Sequence, residues 1–158
     1  MWVFRHKDIV KSGELYLRRY YITPRKWPYK VMLHYIRKPD NDRDPHDHPW
    51  SFLTLILWGG YLELVFKTED QLRGKVPMIS RLLRVGFVWR RAEHIHQIHS
   101  LLKPTWTLVF AGRGRRVWGF WNSFAEFIPW TSYLRREDGA IPESLPEDGD
   151  INCKAINA

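Results

Sequence analysis

At 158 residues, with nine tryptophans and 44% apolar content, the chain has the length of one domain with a large aromatic interior, which excludes a disordered chain. Its net charge of +8 is uneven: from Glu137 onward six acids stand against one base, Lys154, so residues 1–136 hold 24 bases against 11 acids. No apolar run approaches ~18 residues, the N-terminus has no signal-peptide core, and Cys153 is the only cysteine; a transmembrane helix and an internal disulfide are excluded, and a cytoplasmic location is the expectation.

Taken in order, residues 1–14 are polar and mixed, a short strand or a turn. Glu14 to Ile22 alternates loosely around Tyr16, Tyr20 and Tyr21 and predicts a strand. Pro24 and Pro28 mark a loop, Val31 to Arg37 predicts the next strand, and the turn-rich Lys38 to Pro45 delivers the chain to His46-Asp47-His48-Pro49-Trp50. An apolar strand follows through Phe52, Leu53, Leu55, Ile56 and Leu57, with Gly59-Gly60 predicted as a tight turn into Tyr61 to Phe66. Lys67 to Pro77 is polar; Met78 to Leu83 and Gly86 to Trp89 predict two strands. Arg90 to Leu102, carrying His94, His96 and His99, fits a helix face or an alternating strand, and Pro104 is expected to end it. Trp106 to Phe110 and Arg116 to Trp121 predict a hairpin about Gly112-Arg113-Gly114, and Trp130 to Arg136 a last short element. Eight or nine short strands with little helix predict an all-β barrel or two-sheet jelly roll over residues 1–136, followed by an acidic, mobile tail over 137–158.

Two histidines two residues apart on an extended segment point to one face, so His46 and His48 are candidate metal ligands; the alternative is a pair of structural histidines capping a loop. The segment resembles the first motif of the cupins, in which His-x-His is followed by a glutamate and then a glycine: His46, His48 and Gly59 or Gly60 match, whereas Phe52 or Leu53 stands where the glutamate belongs. Gly86 and His96 resemble parts of the second motif; Arg91 and Glu93 replace its Pro-x-Gly. The resemblance covers roughly residues 30–121 and is nearest to small bacterial and phage cupin-like proteins with a His-Asp-His-Pro-Trp signature. It implies a cupin-type jelly-roll β-barrel (a double-stranded β-helix), a homodimer, and a divalent metal (Fe, Mn, Ni or Zn) held by His46, His48 and His96 with open positions. His94 is an alternative third ligand or a group near the substrate, Glu63 and Glu93 are candidates to replace the missing carboxylate, and Trp50 and Trp89 are candidates for the pocket mouth. His34 and His99 read as structural or exposed.

No Gly-x-Ser-x-Gly, phosphate loop or His-Glu-x-x-His is present, neither His46 nor His48 is followed two residues on by a carboxylate, and the acidic surroundings of Cys153 disfavour a reactive thiol. Two functions stay open. One is a metal-dependent dioxygenase or isomerase acting on a small anionic substrate, which the basic body suits. The other is a non-catalytic cupin module that binds a small ligand, nucleic acid or a partner protein. The arginines are scattered along the chain rather than gathered on one segment, which fits solvated strand faces better than a nucleic-acid surface.

Overall fold

The computed structural model describes residues 5–11, 13–40 and 44–138. The expected tail lies outside the described residues from 139 on. The strands are β1 (Arg5–Lys11), β2 (Glu14–Tyr21), β3 (Lys30–Ile36), β4 (Phe52–Phe66), β5 (Ile79–Leu83), β6 (Gly86–Arg90), β7 (Ile95–Ala111), β8 (Gly119–Trp121) and β9 (Phe127–Pro129); the helices are α1 (Glu69–Gly74) and α2 (Trp130–Asp138). All pairings are antiparallel. The main sheet runs β1-β2-β3-β7-β4-β5, with β6 also on β4, and β8 pairs β9. The sheet curls: side chains from β1 at one edge and from β8 line the same cavity. This is the all-β, jelly-roll architecture expected from the strand count.

β4 and β7 form the spine, paired along their whole lengths. Three expectations about them are corrected. Gly59-Gly60 is not a turn between two strands but a bulge inside the continuous β4, where the register with β7 shifts repeatedly between Ile56 and Tyr61. Both glycines have positive φ, and a Cβ on Gly60 would stand 2.4 Å from the Leu83 carbonyl oxygen, a close approach open only to glycine. Buried Thr105 pins the bulge: its hydroxyl accepts from Gly60 N at 2.9 Å and lies 3.1 Å from Gly60 O. Pro104 does not end an element either; it sits inside β7 in the gap that the bulge leaves in the ladder, where no amide hydrogen is required. That places Ile95 to Leu102 on a strand, not a helix.

The third correction concerns the hairpin about Gly112 to Gly114. β7 ends at Ala111, and β8 pairs with β9 and with the His46 segment instead. The cause is Asp47. Its buried carboxylate accepts from Gly119 N at 2.9 Å, from Arg116 Nη1 at 2.7 Å and from Trp121 Nε1 at 3.4 Å, which draws residues 116–121 against the histidine segment. The core beneath consists of Tyr21, Met32, Trp50, Phe52, Val109 and Ala111.

Candidate metal centre

The His46-Asp47-His48 segment behaves as a short added strand. His46 exchanges both backbone hydrogen bonds with His96 at 2.9 Å, and His48 N donates to Ala92 O at 3.0 Å. Alternation does the rest: Asp47 turns to the loop it organises, while His46 and His48 turn towards the cavity and meet His96 on β7. The ligand atoms of His46, His48 and His96 all lie within 4.8 Å of one another. His48 Nε2 and His96 Nε2 are 2.8 Å apart. Two lone pairs cannot face each other at that distance, so either a proton on one ring or a shared cation lies between them. Two nitrogens each ~2.0–2.1 Å from one ion, at a right angle, stand about 2.9 Å apart. The spacing therefore fits a divalent metal.

A carboxylate stands behind two of the three rings. Glu63 on β4 is fully buried and places Oε1 2.6 Å from His96 Nδ1. Arg90 Nε donates to the same oxygen at 2.7 Å and Arg81 Nε to Oε2 at 2.6 Å, while Arg90 also reaches Tyr61 Oη at 3.0 Å. Burial pushes the Glu63 carboxyl up, but the hydrogen bond and charge of His96 and those of Arg90 outweigh it and hold the group well below the usual carboxylate range. An ionised Glu63 only accepts, so His96 carries its proton on Nδ1 and turns the Nε2 lone pair to the cavity. Behind His46, buried Asp40 holds Oδ2 3.5 Å from Nδ1. Burial, then the neighbouring rings and arginines, pushes His48 well below its ordinary value. Burial also lowers His96, against the pull of Glu63. Both rings are thus neutral near pH 7, the form that binds metal.

A second group with metal-ligand spacing, Glu63, His94 and His96, shares His96 with the first. His94 Nε2 is 3.9 Å from Glu63 Oε1, and burial, with the nearby His96, takes its pKa down to about 4. His94 thus lies on the far side of Glu63 from His46 and His48. Glu93 is exposed and borders an outer groove with Trp89, Arg115 and Arg116; buried Trp50 lies between that groove and the cavity. Phe52, at the position of the motif's glutamate, packs its ring 4.5 Å from that of His48.

The cavity beside the three rings measures about 370 Å³ and extends between Trp50, Phe52 and Trp118 to the inner faces of β1, β2 and β3. Sequence reasoning missed several of its groups. His34, expected to be structural or exposed, lines it and accepts from Arg19 Nε at 3.1 Å, and burial followed by the Arg19 charge holds it well below its usual pKa. Arg90, Arg81, Asp40 and Asp47 were not singled out either. The parity of Asp47 between two inward histidines was a signal available for one of them; a buried arginine has none.

No protein-family model matches the sequence, and no curated protein matches it. Solved structures of similar shape do. The iron(II) form of HppE in complex with substrate aligns with a TM-score of 0.53 at 10% identity, covering 68% of this chain and 56% of that one. A chain from the DMSP lyases RdDddP and RnDddQII aligns with a TM-score of 0.50 at 13% identity, over 70% and 57%. The chain spans a little over half the length of these proteins. The likeness establishes the fold, a jelly roll of the cupin type.

Proposed function

We propose that the protein is a metal-dependent cupin enzyme in which His46, His48 and His96 hold one divalent ion at the wall of a cavity that takes a small anionic molecule. The observation that carries this is the convergence of three imidazoles within 4.8 Å, two of them Nε2 to Nε2 at 2.8 Å, with carboxylates behind His96 and His46. The first histidine group is preferred to the second because both oxygens of Glu63 are engaged by guanidinium groups, and a metal ion there would meet two fixed positive charges. An all-histidine face suits Fe, Mn, Ni or Zn. When bound, such an ion polarises a substrate oxygen as a Lewis acid. The chain's own contribution is orientation: Glu63 fixes His96, Asp47 fixes the His46–His48 segment, and Trp50, Phe52 and Trp118 keep bulk water from the rings. Oxygenation and isomerisation of a small anion are the reaction classes this arrangement serves.

A specific observation favours a second reading, a binding module without turnover: an aromatic ring, Phe52, replaces the carboxylate that would complete the motif. Elemental mass spectrometry after incubation with Fe, Mn, Ni or Zn tests the first step. One ion per wild-type chain, lost in folded His48→Ala and His96→Ala, is the expected result. A folded wild-type protein that takes up none of the four at neutral pH sinks the metal reading and leaves the binding module.

A further inference from the structure

The wall of the cavity formed by the first strands has a composition that strand stability does not explain. Lys7 on β1 stands directly opposite Arg19 on β2, Arg19 opposite His34 on β3, and His34 opposite Thr107 on β7. All four line the cavity. Directly opposed like charges on neighbouring strands destabilise a sheet, and here two cations and an imidazole form one row on an inner face. The acid nearest the row is Asp8. Both of its oxygens are held by Arg18, at 2.6 and 2.7 Å, so it does not balance Lys7 and Arg19. His34 is pinned as the acceptor of Arg19 Nε, which fixes the plane of the guanidinium. The charge of Arg19 is felt at His48, so the row and the histidine face belong to one enclosed space.

We infer that the row Lys7–Arg19–His34 is the seat for the oxyanion of the substrate, a carboxylate or a phosphate-type group, at the end of the cavity away from the three metal-site histidines. The inference rests on the reading of this cavity as a ligand site, and it names what the ligand must carry: an anionic group at one end and, at the other, the atoms that meet His46, His48 and His96. A guanidinium offers two parallel donors to such a group and Lys7 adds a compact charge beside it.

The test titrates full-length protein, stripped of metal by chelator, with inorganic phosphate and separately with succinate, by calorimetry. Phosphate presents a tetrahedral oxyanion and succinate a planar one, so the tighter of the two identifies the group. Arg19→Gln is expected to weaken binding about ten-fold or more, Lys7→Gln less, and Arg19→Lys to fall between Arg19→Gln and the wild type. Metal uptake in each variant, measured in parallel, should match the wild type. Binding unchanged in Arg19→Gln, or absent from the wild type for both anions, overturns the inference whatever the metal content. Loss of metal uptake with anion binding intact overturns the metal reading alone.

A different observation concerns the outside of the same sheet. Across β6, β4, β7 and β3, two cross-strand rows are wholly apolar: Trp89, Leu53, Phe110 and Val31 in one, Phe87, Leu55, Leu108 and Leu33 in the other. Phe87 is 69% exposed, Trp89 62% and Phe110 40%. With the half-buried leucines between them, they present on the order of 500 Å² of apolar surface, more than monomers usually expose in one patch away from function and most of the ~800 Å² per partner of a stable interface. We propose that a second copy of the chain covers this face, sheet against sheet, about a two-fold axis. Sedimentation equilibrium at ~10 µM should give a dimer for the wild type and a folded monomer for Phe87→Glu/Trp89→Glu. A wild-type monomer, or a variant that stays dimeric, refutes it.

Discussion

Glu63→Gln is the sharpest perturbation because one buried carboxylate holds three partners. It removes the charge and keeps the shape. Arg90, 1% exposed, then sits in the interior without its counter-ion, whereas Arg81 is one-third exposed and can turn to water. Removing one partner of a buried ion pair costs about 3–5 kcal/mol. At ~2–4 °C per kcal/mol for a domain of this size, the thermal midpoint should fall by roughly 6–20 °C. The hydrogen bond that orients His96 is weakened at the same time, so metal affinity should drop ~10–100-fold. Differential scanning calorimetry and a competitive chelator titration read the two effects. Glu63→Gln/Arg90→Met should regain a good part of the stability, because no unpaired guanidinium remains inside, but not the metal affinity. A midpoint within ~2 °C of the wild type for Glu63→Gln, or a double variant less stable than the single, would refute the account of this network.

Asp47→Ala should cost about 2–4 kcal/mol, because Arg116, Gly119 N and Trp121 Nε1 all lose their acceptor, and it should weaken metal uptake by loosening the His46–His48 segment; denaturant titration and metal analysis check both. Gly60→Ala should cost more than ~2 kcal/mol, since φ is +142° and the new methyl meets a backbone oxygen at 2.4 Å, whereas Gly13→Ala, at φ +77° with open space around it, should cost no more than about 1 kcal/mol. The pH dependence of stability should carry the signature of His34. Its folded pKa is depressed, so the unfolded chain binds more protons as pH falls through 6.5; the contribution is whole above that pH and is lost progressively below it. His34→Gln should flatten the fall between pH 6.5 and 5 by up to ~1.4 kcal/mol per pH unit, measured by urea unfolding; equal slopes would show that His34 is not buried neutral.

Much of the fold was legible because the strands carry their own period. β2, β3, β5 and β6 lie within a residue or two of their expected spans, since aromatic and β-branched alternation is a local signal. The short helix α1 was read as polar loop, although Thr68 and Gln71 form a capping box that satisfies its first turn. What failed was punctuation. Two glycines and a proline were taken as ends of strands because in isolation they mark turns; paired across from each other on β4 and β7, they make a bulge, and only the partner strand reveals that. The histidine parity of the site could be read directly. The carboxylates behind it could not, because Asp40 sits among other acids in a loop and the burial of Glu63 depends on contacts with β5 and β6.

The bulge and the site are one problem. On β4 the inward residues before the glycines are Phe52, Thr54 and Ile56, and after them Tyr61, Glu63 and Val65: even positions, then odd. On β7 the same exchange occurs across Pro104, from His96 to Thr105, Thr107 and Val109. An unbroken β4 would carry Glu63 to the outer face, because a shift of one residue turns every side chain to the other side. Arg90 would then be buried without a counter-ion and His96 would lose the group that sets its tautomer. Gly59 and Gly60 therefore do more than bend the sheet. They switch the parity of the strand so that its first half supplies the aromatic wall beside His48 and its second half supplies the carboxylate beneath His96. The acid that stands in the ligand position of the cupin motif is absent at Phe52, and the acid this chain does bring to the site stands one layer back, clamped by two arginines.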